Sequence, residues 1–166
     1  MAQINENINR FKIILVGDGE VGKTTFVNHH LKGEFITKYV PTLGVDVHPI
    51  PFNTNYGIII FDVWDTAGQE KFGFLHEGYY IGARGAICMF NTTSTRTLRN
   101  VPSWIEKIKK INNIPVSIYG SKSELPSQLP TCNFPCISTR NKVNMDLPFL
   151  NLAREITKHE DLIFID

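Results

Sequence analysis

Phe11-Lys12-Ile13-Ile14-Leu15-Val16-Gly17-Asp18-Gly19-Glu20-Val21-Gly22-Lys23-Thr24-Thr25 is the stretch on which the reading of this chain turns. Its first six residues are an apolar run interrupted only by Lys12, the pattern of a strand covered on both faces. Gly17 ends the run, and a loop leads to Gly22-Lys23-Thr24, where a helical pattern opens. Residues 17 to 24 fit G-x-x-x-x-G-K-[ST] between a strand and a helix, the context that a phosphate-binding loop requires. Glycine lets the backbone wrap an anion with no Cβ in the way, and the helix N-terminus adds positive potential. Asp18, Gly19, Glu20, Val21, Gly22, Lys23, Thr24 and Thr25 are therefore candidate phosphate contacts. Lys23 is placed for the outer phosphates and the Thr24 hydroxyl for a magnesium ion.

The rest of the chain supplies the other parts of an α/β domain. Residues 1 to 9 are polar and Asn-rich and are expected to fray, which leaves residues 10 to 166 as one domain. Strands are expected at Phe11 to Val16, Val45 to Phe52, Ile58 to Trp64, Ala86 to Phe90, Pro115 to Tyr119 and Phe134 to Ile137. The second and third form a hairpin around Asn53 to Gly57. Helices are expected from Thr24 to about Leu31, from a cap at Ser94 or Thr95 through Trp104, Ile105, Ile108 and Ile111, and from Asp146 to about His159. Pro148 sits in the first turn of the last one, where proline is tolerated. This alternation predicts a single doubly wound domain: a six-stranded, mostly parallel sheet with one antiparallel hairpin strand. In such sheets ligands bind outside the carboxyl ends of the strands. Gly17 to Lys23, Asp65, and Ser121 with Lys122 all follow such ends, so they converge on one edge.

Three further candidates complete a phosphoryl-transfer site. Asp65 ends an apolar strand, where an acid supports magnesium through water; Gly68 can set its backbone N–H against a γ-phosphate; Gln69 can orient the attacking water. Thr42 lies in a loop from which its hydroxyl and carbonyl can reach magnesium and γ-phosphate, so that nucleotide state controls loop order. Gln69, Thr42 and Lys23 are the candidate catalytic residues, and Thr24, Thr42 and Asp65 the candidate metal ligands.

At this point the chain resembles the small Ras-like GTPases, and within them the Ran branch. The resemblance rests on Gly17-Asp18-Gly19, Gly22-Lys23-Thr24-Thr25-Phe26-Val27, Gly33-Glu34-Phe35, Lys38-Tyr39-Val40, Thr42-Leu43-Gly44-Val45, Val47-His48-Pro49, Val63 to Gly73, Gly78-Tyr79-Tyr80-Ile81, and Asn100-Val101-Pro102 with Trp104. It covers residues 10 to about 120. It implies GTP and GDP with Mg2+ as ligands, slow hydrolysis without an activating protein, and two switch segments, one around Thr42 and one from Gly68 to about Tyr80. By the same resemblance Phe35 lies against the guanine, and Tyr39 belongs with the nucleotide contacts. Nuclear transport receptors, an exchange factor and a GTPase-activating protein are the implied partners, with a role in nucleocytoplasmic transport, in nucleus and cytoplasm, as a monomer.

The second half departs from that pattern. The family's Asn-Lys-x-Asp is Ser121-Lys122-Ser123-Glu124 here, and its Ser-Ala-Lys is Ser138-Thr139-Arg140. The first motif reads the guanine edge and the second covers the base, so narrowed guanine discrimination is expected. Ser121 is expected to lack the reach to brace neighbouring loops. Leu125 to Asn133 holds two prolines and is too short for a helix plus turns, so the helix between the last two strands is expected to be absent. The Ran branch's C-terminal extension is expected to be missing. A second reading is therefore a catalytically weak decoy that copies the Ran surface and binds transport receptors or regulators. A third, an ATPase of another phosphate-loop family, fits the loop but not Trp64 to Glu70.

Composition narrows the classes. Of 166 residues, 17 are basic and 16 acidic, for a net charge of +1, which gives no support to a nucleic-acid partner. Cys88, Cys132 and Cys136 are too few for the usual four zinc ligands and read as reduced thiols. Met1-Ala2 is no myristoylation start and Phe164-Ile165-Asp166 no prenylation box, so no membrane anchor is expected.

Overall fold

The computed structural model describes residues 9–32, 45–66, 77–125 and 133–166. Five strands, β1 (Asn9–Val16), β2 (Val45–Thr54), β3 (Gly57–Thr66), β4 (Gly85–Asn91) and β5 (Val116–Ser121), form one sheet in the order β2-β3-β1-β4-β5. β1 pairs in parallel with β3 and β4, and β4 with β5, while β2 and β3 are the antiparallel pair. Pro49 and Pro51 fall on β2, the edge strand, where a missing N–H costs least.

The expected sixth strand is reduced to a single parallel bridge between Gly120 and Cys136. Gly120 N donates to Pro135 O at 3.0 Å and Ile137 N to Gly120 O at 2.7 Å. The next rung would need an N–H at residue 135, and proline has none. The missing-helix expectation rests on residues 126–132, which lie outside the described residues.

β1 shows why the sheet is covered twice. Ile13 and Leu15 pack with Phe26, Val27, Phe61, Phe149 and Leu152, whereas Ile14 and Val16 pack with Cys88, Phe90, Trp104 and Ile108. Successive side chains on a strand point to opposite faces, so an all-apolar run needs a helix layer on each. Helices α1 (Lys23–Lys32) and α4 (Leu147–Thr157) cover one face, and α3 (Val101–Lys109) the other. Each fully buried Ile, Leu or Phe contributes about 1.5–3 kcal/mol.

The single helix expected from residue 95 to 111 is two, α2 (Thr95–Arg99) and α3, joined at Asn100. Pro102 explains the break: in a continuous helix its ring would meet the carbonyl of Leu98, and it offers no N–H to bond there. At the start of α3 it is harmless. Pro148 likewise stands in the first turn of α4.

Candidate functional site

The loop after β1 is built by positive φ. Gly17 has φ +143°, and a Cβ there would lie 2.2 Å from Met89 O on β4, so only glycine fits. Glu20 (φ 67°) and Gly22 (φ 95°) turn the chain into α1. Glu20 is exposed, while Val21 is buried and anchors the loop in the core. Lys23 Nζ folds back and donates to Gly17 O at 2.7 Å and to Asp18 O at 2.8 Å, with 6% of the residue exposed. The ammonium thus closes the loop on itself and sets its charge at the α1 N-terminus, an anion-binding arrangement.

Asp65, at the end of β3, stands beside the first turn of α1. Thr24 Oγ1 donates to Asp65 Oδ2 at 2.6 Å. The carboxyl is 1% exposed, and Oδ1 has no hydrogen-bond partner among the described residues. Burial pushes its pKa up, and the Thr24 hydrogen bond and the Lys23 charge pull the other way. A buried acceptor left without a partner costs about 1–3 kcal/mol, so a bound cation or its water would remove a penalty the protein otherwise carries. The donor set, one hydroxyl and one carboxylate, suits magnesium, which keeps several waters and takes the rest of its ligands from phosphates. Among the described residues no cluster of three or more His, Cys, Asp and Glu side chains offers a competing metal site.

On the far side of the loop lie the residues expected to face a base. Here one expectation is corrected: Ser121 does brace its neighbours. Its hydroxyl reaches Val21 O in the phosphate loop at 2.5 Å and Phe90 O on β4 at 3.0 Å. The short side chain suffices because β5 runs close to both carbonyls, a tertiary fact. Thr92, which the sequence did not single out, supports the same turn by donating towards Ser121 O at 2.9 Å and Lys122 O at 3.2 Å. Lys122 adopts a left-handed φ of 58° and leads into Ser123 and Glu124.

Ser138 ties the two altered motifs together. It accepts from Asn141 N at 3.1 Å and donates to Glu124 Oε2 at 2.6 Å. Ser138 is buried, Thr139 and Glu124 are half-buried, and Arg140 is exposed. The Ser138 turn is closed by a bridge to Val143.

Asp18 is held from a third side: Asn100 Nδ2 donates to its Oδ2 at 2.6 Å and Trp104 Nε1 to its Oδ1 at 3.0 Å. No sequence signal joins residues 82 and 86 positions apart; only the packing of α3 on β1 does.

The structure thus brings residues 17–25, Asp65, Ser121, Lys122, Glu124 and Ser138 to Arg140 to one edge of the sheet. Phe35, Tyr39, Thr42, Gly68 and Gln69 lie outside the described residues, as does Cys132. Cys88 is buried and Cys136 half-buried. No helix among the described residues is long and apolar enough to cross a membrane. In comparison with known families, the model of the Ras family matches residues 12–131.

Proposed function

This chain belongs to the Ras family of small GTPases, and from that premise we propose that it is a GTP-hydrolysing switch of the Ran type. The observation that carries the hydrolytic reading is the contact of Thr24 with the buried Asp65, whose second oxygen lacks a partner among the described residues, beside the folded-back Lys23. That is the arrangement needed to seat a nucleotide's outer phosphates and a cation at the ends of two neighbouring parallel strands, β1 and β3.

In this mechanism the loop from Gly17 to Thr25 holds the phosphates, and Lys23 balances charge on the outer ones. Magnesium held by Thr24, Thr42 and, through water, Asp65 would supply charge neutralisation on the β- and γ-phosphate oxygens. Gln69 orients a water for in-line attack on the γ-phosphorus, and the bond to the β–γ bridging oxygen breaks to give GDP and phosphate. Gly68 and Thr42 sense the γ-phosphate, so its loss releases both switch segments. Glu124 offers Oε1 to the guanine N–H donors while Ser138 holds Oε2, and Phe35 lies on the base. The intact loop and Asp65 and Gln69 favour an enzyme, and the Ser121 and Ser138 contacts weaken the motive for a decoy.

The Ran assignment rests on the stretches from Val47 to Pro49 and from Lys71 to Gly73, and on Asn100 to Pro102. It makes nuclear transport receptors, an exchange factor and an activating protein the partners, and nucleus and cytoplasm the location. The test has two stages. Nucleotide released on denaturing the purified protein should be GTP or GDP, and single-turnover hydrolysis with an activating protein should be slowed by Gln69→Leu. Equal rates would remove Gln69 from the mechanism. Receptor binding that ignores the bound nucleotide would remove the Ran reading while leaving the GTPase.

A further inference from the structure

Phosphate loops that retain a polyanion must keep carboxylates away from it, and this loop contains two, Asp18 and Glu20, against one cation, Lys23. Glu20 is exposed on a left-handed turn. Asp18 is half-buried, and its backbone carbonyl accepts from the Lys23 ammonium at 2.8 Å. The residue that carries this carboxylate is therefore bonded through its own backbone to the cation meant for phosphate.

We propose that Asn100 and Trp104 are positioning residues for nucleotide retention: together they hold the Asp18 carboxylate on the α2–α3 junction and away from the phosphates. The inference rests on the nucleotide reading above. Both carboxylate oxygens are engaged, one by an amide and one by an indole N–H. Two donors on two different oxygens fix the direction of the side chain. Trp104 is 4% exposed and packed with Ile14, Val16 and Phe90, which makes its N–H a rigid donor. Asn100 is equally fixed, because its backbone serves two helices: its N–H bonds Arg96 O, and its carbonyl accepts from Trp104 N. Its side chain makes no cap bond to α3 and is spent on Asp18 instead. An asparagine at a helix start ordinarily caps that helix, so this diversion needs a reason. Charge orientation in the phosphate loop supplies one.

The variants are Asn100→Ala, which keeps the backbone roles, and Trp104→Phe, which keeps the buried ring, each made also in an Asp18→Asn background. Release of a fluorescent guanine nucleotide and the thermal midpoint are measured for all. With Asp18 present, the combined Asn100→Ala and Trp104→Phe variant should release nucleotide about tenfold faster, which is about 1.4 kcal/mol. The acceleration should shrink as ionic strength rises, because it is a charge effect. In the Asp18→Asn background the same substitutions should change release less than about twofold, while any loss of thermal midpoint from packing should be the same in both backgrounds. Unchanged release with Asp18 present, or acceleration that persists with Asn at 18, overturns the proposal. A wild-type protein that retains no guanine nucleotide at all overturns the nucleotide reading itself, and the positioning role with it.

Discussion

Glu124→Gln tests how this chain reads its base. The substitution keeps shape and length and replaces one carboxylate oxygen by an amide nitrogen. Which end of the amide faces the base follows from Ser138, whose hydroxyl accepts from Asn141 N and donates to Glu124 Oε2; keeping that donor role calls for an acceptor at residue 124. The amide oxygen therefore takes the place of Oε2 on Ser138, and the NH2 turns toward the guanine N–H donors. One charged hydrogen bond is lost, about 1.5–3 kcal/mol, and a donor set against donors adds about 1–3 kcal/mol more. GTP affinity should fall by roughly two to four powers of ten. ATP presents no such donors at that edge, so its affinity should hold within about threefold by the same reasoning. Competition of GTP and ATP against a fluorescent guanine nucleotide reads both. Adding Ser138→Ala frees the amide to flip its oxygen toward the base and should restore about tenfold of the GTP affinity, the worth of one recovered hydrogen bond. An unchanged GTP/ATP ratio in Glu124→Gln, or no recovery on adding Ser138→Ala, would refute the assignment of Glu124 to the base. In the wild type GTP should be preferred over ATP by a narrower margin than in relatives with Asn-Lys-x-Asp, because the glutamate stem is longer and one oxygen is committed to Ser138.

Lys23→Ala removes the ammonium that closes the loop on Gly17 O and Asp18 O as well as the cation for the phosphates, so nucleotide affinity should drop by at least about a hundredfold in a titration. Asp65→Asn should abolish the magnesium dependence of nucleotide release without lowering the thermal midpoint of the metal-free protein. Because burial raises the Asp65 pKa on folding, the folded chain binds that proton more tightly, so its contribution to stability grows as pH falls through the folded pKa toward the ordinary carboxylate value. Thermal melts of wild type and Asp65→Asn without magnesium should differ in pH dependence in that sense. Burial pushes the Cys88 thiol up to about 12, so thiol reagents should modify it only after unfolding, seen by mass spectrometry of native and denatured protein.

The phosphate loop was legible because its chemistry is local. Glycines at 17 and 22, the lysine and threonine after them, and the strand and helix on either side lie within fifteen consecutive residues, and each requirement is a residue type at a fixed spacing. The strands followed as far as hydrophobic runs mark them, and Pro102 and Pro148 mark helix starts by their missing N–H. The split at Asn100 was available in Pro102 but was hidden by the continuous apolar period from Trp104 to Ile111. What the sequence could not supply is distance between segments far apart in the chain. Ser121 looked too short to brace anything, yet packing of β5 beside β4 brings its hydroxyl onto Val21 O and Phe90 O. The hydrogen bond from Ser138 to Glu124 joins two motifs that each looked merely altered. The Thr24–Asp65 contact and the tie from Asp18 to Asn100 and Trp104 are likewise set by which strands and helices lie side by side. Residue type fixes what a group can donate, accept or ligate; only the packed sheet decides which group stands within hydrogen-bond reach to receive it.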